Sequence, residues 1–157
     1  MLEIRNAQLG EIAFLRTLDT IAVVGSDRHG QIAMWVTSGV CRTALLDGEI
    51  VGYSVSNYSF FHQRFIELVL VAKVHRRQGI GLALLRDILD RLPEEKVWTS
   101  TNQSNVPMQA LLGRAGFIES GRVENLDAGD PELIFVHLSN VTPVESAAMQ
   151  SITSTQG

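Results

Sequence analysis

The stretch Arg76-Arg77-Gln78-Gly79-Ile80-Gly81 constrains this chain most. An apolar run, Phe65 to Val74, leads into it, and an amphipathic run, Leu82 to Leu92, leaves it. That order predicts a strand, a tight glycine turn and a helix. Such a turn presents several main-chain N–H groups at a helix N-terminus, where the helix dipole favours an anion. A phosphate-bearing ligand held by main chain is therefore the first expectation. Two common phosphate loops do not fit. A dinucleotide fingerprint needs a third glycine where Leu84 stands, early in a strand–helix–strand unit. A Walker A loop needs Gly-Lys-Ser/Thr, which is missing here.

The chain on either side reads as one mixed domain. Leu2 to Ala7 alternates like a strand, and Glu11 to Val24 has helical spacing. Gly25-Ser26-Asp27 breaks it, and Ser26 or Asp27 can cap a second helix to about Thr37. Val40–Leu46 and Glu49–Tyr58 flank Asp47-Gly48, a hairpin signal. Phe60-Phe61-His62 makes a corner before the strand Phe65–Val74. The helix after the glycine turn stops at Pro93. Lys96–Ser100 is a short strand, and Ser104 or Asn105 can cap a helix with Pro107 in its first turn. Gly116 ends that helix, and strands Phe117–Val123 and Glu132–Leu138 follow. Residues 139–157 are rich in Ser and Thr with little periodicity and read as a flexible C-terminal tail after a domain spanning 1–138. The fold class expected is α+β: a mixed, mostly antiparallel sheet of about seven strands flanked by four helices.

With 157 residues there is room for one domain with a real core. A net charge of −4 argues against non-specific binding to nucleic acid or an anionic membrane. The apolar stretches fall short of the ~20 residues a membrane span needs. Cys41 is the lone cysteine and excludes an internal disulfide. The N-terminus lacks the order of a signal peptide, so a cytoplasmic protein is expected. His62 and His75 have no second ligand at metal spacing, so no metal is expected.

The run Val71 to Gly81 resembles motif A of the GNAT family of N-acetyltransferases, whose core is Arg/Gln-x-x-Gly-x-Gly/Ala. Asn105 before a helix and Gly116-Phe117 after it resemble that family's second signature, at a fitting separation. The resemblance covers Met1 to Leu138. It implies the acyl-CoA N-acyltransferase fold, with strands 4 and 5 splayed, and acetyl transfer from acetyl-CoA to a primary amine of a small molecule or peptide by direct attack. Main-chain N–H groups of Arg77, Gln78, Gly79, Ile80, Gly81 and Leu82 would cradle the CoA pyrophosphate, with added charge from Arg76 and Arg77. Val69, Leu70 and Val71 would offer main-chain groups to the pantetheine arm, on a strand Glu67–Val71 splayed from Val97–Ser100. Asn105 would meet the pantetheine amide or a bridging water, a role compatible with capping its helix. Relatives of this size often dimerise, so a homodimer is admitted.

Glu67 is the candidate catalytic base. Alternation puts it on one face with Val69 and Val71, and a partly buried carboxylate there would suit a base near neutral pH. The competing reading is an edge carboxylate paired with Arg64 or Arg42. The family's usual thiolate acid is a tyrosine where this chain has Leu112; Ser104, Tyr53 and Tyr58 are the nearby alternatives. That departure keeps a second reading open, a non-catalytic acyl-CoA-binding or sensing module, and a third, a peptide-binding domain using the sheet groove. Met34, Trp35, Phe60, Phe61 and His62 are candidates for an acceptor pocket or plain core. The acidic stretch Glu124–Glu132 is either a contact for a cationic amine or a solvated turn.

Overall fold

The computed structural model describes residues 1–19 and 26–138. Its elements are β1 (Leu2–Asn6), a 3-10 turn at Leu9–Glu11, α1 (Ile12–Leu18), α2 (Ser26–Thr37), β2 (Cys41–Leu46), β3 (Glu49–Phe60) and β4 (Gln63–Val71). A second 3-10 turn, Lys73–His75, leads to α3 (Ile80–Arg91), β5 (Val97–Asn102), α4 (Val106–Arg114), β6 (Ile118–Val123) and β7 (Glu132–His137). Seven strands form one sheet in the order β1-β2-β3-β4-β5-β7-β6. Every neighbouring pair is antiparallel except β4 and β5. The expected α+β class, the seven strands and the four helices are what the described residues form. The expected continuation of the first helix to Val24 and the tail 139–157 lie outside the described residues.

Local chemistry explains the turns. Asp47 and Gly48 both have positive φ, the geometry of the two-residue hairpin that Asp-Gly favours. In α3 the buried residues Ile80, Leu84, Leu85 and Ile88 recur on one stripe, and the helix closes at Leu92, just before Pro93. Asn105 caps α4 by accepting from the Met108 N–H at 3.2 Å, with Pro107 in the first turn. The strand read as Phe65–Val74 is shorter at its end. Val74 lies in the 3-10 turn and is exposed, so the strand stops at Val71.

The sheet carries helices on both faces. On one face α1 and α2 cover β2 and β3: Leu15, Ile32, Trp35 and Val36 pack on Cys41, Tyr53 and Val55, with Leu68 and Leu70 of β4 at the border. On the other, α3 and α4 bring Leu85, Ile88 and Leu112 onto Ile66, Val97, Leu133 and Phe135. Ile80 and Leu84 continue that layer over Ala44, Val51, Val69 and Val71. Arg42 of β2 ties to Asp87 of α3 through two bonds, 2.7 and 2.8 Å, fixing α3 against the sheet. Among the described residues no helix is long and apolar enough to cross a membrane.

Candidate acetyl-CoA and acceptor site

The one parallel pair in the sheet is also its weakest seam. β4 and β5 are in register only at Arg64↔Val97, Phe65↔Trp98 and Ile66↔Thr99. Thr99 Oγ1 donates to the Ile66 carbonyl at 3.0 Å, at the vertex of the pair. Beyond it β4 stays zipped to β3 through Val71, and β5 stays zipped to β7 through Asn102. The two strands no longer pair with each other, so the inner edge of β4 at Val69, Leu70 and Val71 has no strand partner among the described residues. The splay was expected over Val97–Ser100; it opens later, because Val97 to Thr99 are the paired residues.

A β-bulge sits beside this vertex. The β3–β4 register steps from Val55↔Leu68 to Ser56↔Ile66, which leaves Glu67 as the extra residue. The bulge breaks strict alternation. Ile66, Val69 and Val71 all pack toward α3, whereas Leu68 and Leu70 pack toward α1 and α2. Glu67 is therefore not on the face of Val69 and Val71, and it is exposed rather than partly buried. Its Oε1 accepts from Ser59 Oγ at 2.7 Å and from Asn57 Nδ2 at 3.3 Å, both on β3. Neither arginine proposed as a partner reaches it. Arg42 binds Asp87, and Arg64 donates to the Ser56 carbonyl and the Tyr58 hydroxyl.

The glycine turn faces the open end of the splay. Arg77 and Gly79 both have positive φ, 63° and 79°. Only glycine holds that conformation without strain, which is why residue 79 is glycine. The main-chain N–H groups of Arg77, Gln78, Gly79, Ile80, Gly81 and Leu82 find no acceptor among the described residues; the first that does is Ala83, bonded to Gly79 O at 3.0 Å. Six donors at one helix N-terminus make an anion cradle. Gly81 has a further reason to lack a side chain. A Cβ there would lie 3.0 Å from Leu111 Cδ2, so glycine lets α3 and α4 approach closely. Arg76 and Arg77 are exposed, and Arg76 Nε donates to the Val71 carbonyl at 3.3 Å across the mouth of the splay.

The other side of the mouth is held by the loop after β6. Asp127 accepts from Asn102 Nδ2 at 2.8 Å, and Asp130 accepts from Ser104 N–H and Oγ at 3.0 and 2.6 Å. Glu124 pairs with Arg122 at 2.9 Å. Three carboxylates of the acidic stretch are thus engaged in fixing β5, the start of α4 and β6. The alternatives for a thiolate acid are engaged as well. Tyr53 is fully buried and donates to Asp19 at 2.7 Å; burial first, and then that hydrogen bond, push its hydroxyl far above its ordinary value. Tyr58 donates to Glu95 at 2.8 Å, which raises its hydroxyl too. Leu112 is 1% exposed in the core beneath α3 and α4. Cys41 is buried, and burial pushes its thiol up to about 12, which removes it as a nucleophile.

Over the opposite face from α3 and α4, a groove of ≈ 430 Å³ is lined by Phe60, Phe61, Gln63, Trp98, Gly121 and Ile134, together with Ser120 and Arg122. Trp35 and Met34 do not belong to it: Trp35 is core, and Met34 is on the surface. The bulge at Glu67 and its β3 partners were not read from the sequence; of the pocket candidates Phe60 and Phe61 line this groove, whereas Gln63, Trp98, Gly121 and Ile134 were missed. A bulge without glycine leaves no local signature in the chain.

A sheet splayed at a parallel seam, with unsatisfied N–H groups at the adjoining helix, is the arrangement expected of the acyl-CoA N-acyltransferase fold. The acetyltransferase (GNAT) family model matches residues 11–117, and the chain belongs to that family. A GNAT-family acetyltransferase from Bacillus cereus superposes with a TM-score of 0.78 at 31% identity, over 88% of this chain and 98% of that one. A candidate streptothricin acetyltransferase from Bacillus anthracis, solved with acetyl coenzyme A, shares the fold with a TM-score of 0.55, 21% identity and coverage of 63% and 61%. In sequence, the streptothricin acetyltransferase of Streptomyces lavendulae is 34% identical over 79 residues, 48% of this chain. The chain spans less than half of that relative, 42% of its length.

Proposed function

We propose that this protein binds acetyl-CoA in the β4–β5 splay and transfers its acetyl group to a primary amine. The observation that carries this reading is the pairing of an open β4 edge with six unsatisfied N–H groups at the start of α3. The cradle suits a pyrophosphate, and the edge at Val69, Leu70 and Val71 suits the amides of pantetheine. The expected roles of Arg76, Arg77 and Asn105 remain part of the proposal, Asn105 alongside its cap. A cytoplasmic setting fits the lone buried thiol.

Glu67 is the base in this reading. It lies one residue past the vertex, held through Oε1 by Ser59 and Asn57. An arriving ammonium gives one proton to Glu67. The free nitrogen attacks the thioester carbonyl carbon, the C–S bond breaks, and an amide and the CoA thiolate form. The second nitrogen proton leaves to water, and the thiolate takes a proton from water, because Leu112 has none to give.

Leu112 is the specific observation that favours the second reading, a non-catalytic acyl-CoA-binding module. One experiment separates the two. Thermal unfolding is followed with and without CoA, and thiol release from acetyl-CoA is followed over a panel of amines. At CoA 100-fold above its Kd, stabilisation of about 2.7 kcal/mol is expected. Glu67→Gln is expected to lower kcat by roughly 10²-fold with CoA affinity unchanged. Stabilisation without turnover on any amine favours the binding module; no stabilisation rejects both.

A further inference from the structure

From the groove on the sheet face opposite α3 and α4 we infer the acceptor class: a primary amine carried on an apolar, ring-bearing body rather than a polyamine. The assignment rests on the amine-acetylating reading above. The groove begins at the vertex. Trp98 is the strand partner of Phe65, one residue before the splay, and Phe65 lies two residues before Glu67. Two strand residues span at most about 6–7 Å, less across a bulge, so the groove starts within one short alkyl spacer of Glu67. An amine at Glu67 would therefore send its body along Phe60, Trp98 and Ile134.

The lining chemistry selects that body. Phe60 packs at 5.1 Å from Trp98 and 5.5 Å from Phe65, and Phe61 meets Phe60 edge-on at 5.0 Å. Trp98 Nε1 donates to Gln63 Oε1 at 2.6 Å, which fixes the indole plane. The charged residue lining the groove among the described residues is Arg122, which Glu124 pairs at 2.9 Å, and no carboxylate lines it. A second ammonium on the acceptor would find no lining carboxylate to receive it, whereas an apolar ring meets ring faces.

The hairpin that presents Phe61 is itself strained. Phe61 and His62 have φ of 47° and 63° between Phe60 and Gln63, a two-residue turn that ordinarily takes Asn-Gly. Phe61 is 82% exposed, so core packing does not account for it. Strain retained at an exposed aromatic residue points to function.

Steady-state acetylation of 2-phenylethylamine and of putrescine, by the full chain and by Phe61→Asn, tests the assignment. The wild type is expected to favour 2-phenylethylamine in kcat/KM by roughly tenfold or more. Phe61→Asn suits the turn, so its Tm should hold or rise. Its KM for 2-phenylethylamine should rise by roughly fivefold, with putrescine unchanged within about twofold. Preference of the wild type for putrescine overturns the assignment, as does a Phe61→Asn variant that affects both amines equally or neither. Turnover of no amine at all ends the amine-acetylating reading, and the assignment with it.

Discussion

Glu67 shows how much one residue's surroundings decide. As an alternating strand residue it would face α3; as a bulge residue it turns to Asn57 and Ser59 and to the face that carries the groove. Glu11 is a second carboxylate whose neighbours set its behaviour. Burial pushes it up, but hydrogen bonds from Arg5 and the Gln8 N–H, with the Arg5 charge, outweigh burial and hold it below its ordinary value. A lowered carboxyl contributes stability above its unfolded value and loses it as pH falls through the folded one. Melting curves of wild type and Glu11→Gln should therefore differ most above the ordinary carboxylate range and converge in acid. A difference that grows toward acid would contradict the assignment.

Strands and helices were largely legible because their signals are local. The Asp47-Gly48 hairpin, the stripe on α3, the cap at Asn105 and the stop at Gly116 each follow from a few neighbouring residues. What could not be read was long-range register. The extra residue at Glu67 and the vertex at Ile66 and Thr99 depend on how β4 meets β3 and β5, which no short window records. The bonds of the acidic stretch after β6 were hidden for the same reason, since Asn102 and Ser104, which hold Asp127 and Asp130, lie far back in sequence. Gly52 tests the element scale. A Cβ on it would stand 2.6 Å from the Leu70 carbonyl oxygen, a main-chain atom of the splayed strand that cannot swing aside. Gly52→Ala should cost about 1–3 kcal/mol in denaturant unfolding and weaken CoA binding by shifting β4. An unchanged midpoint and unchanged affinity would mean that β4 gives way freely.

At the scale of the whole molecule, the two faces of the sheet divide the labour. α3 and α4 pack one face and bring the N–H cradle to the open end of the seam. α1 and α2 cover β2 and β3 on the other, leaving the groove beside β5 and β7 open. Donor and acceptor would thus approach from opposite faces and meet at the vertex, with Glu67 on the acceptor side. The most direct test of the central claim is amide hydrogen exchange of the full chain with and without CoA. Protection should appear in peptides covering 77–82 and 69–71, where donors and an unpaired edge now face solvent. Binding of CoA with exchange at 77–82 unchanged would contradict the assignment of the cofactor to the splay.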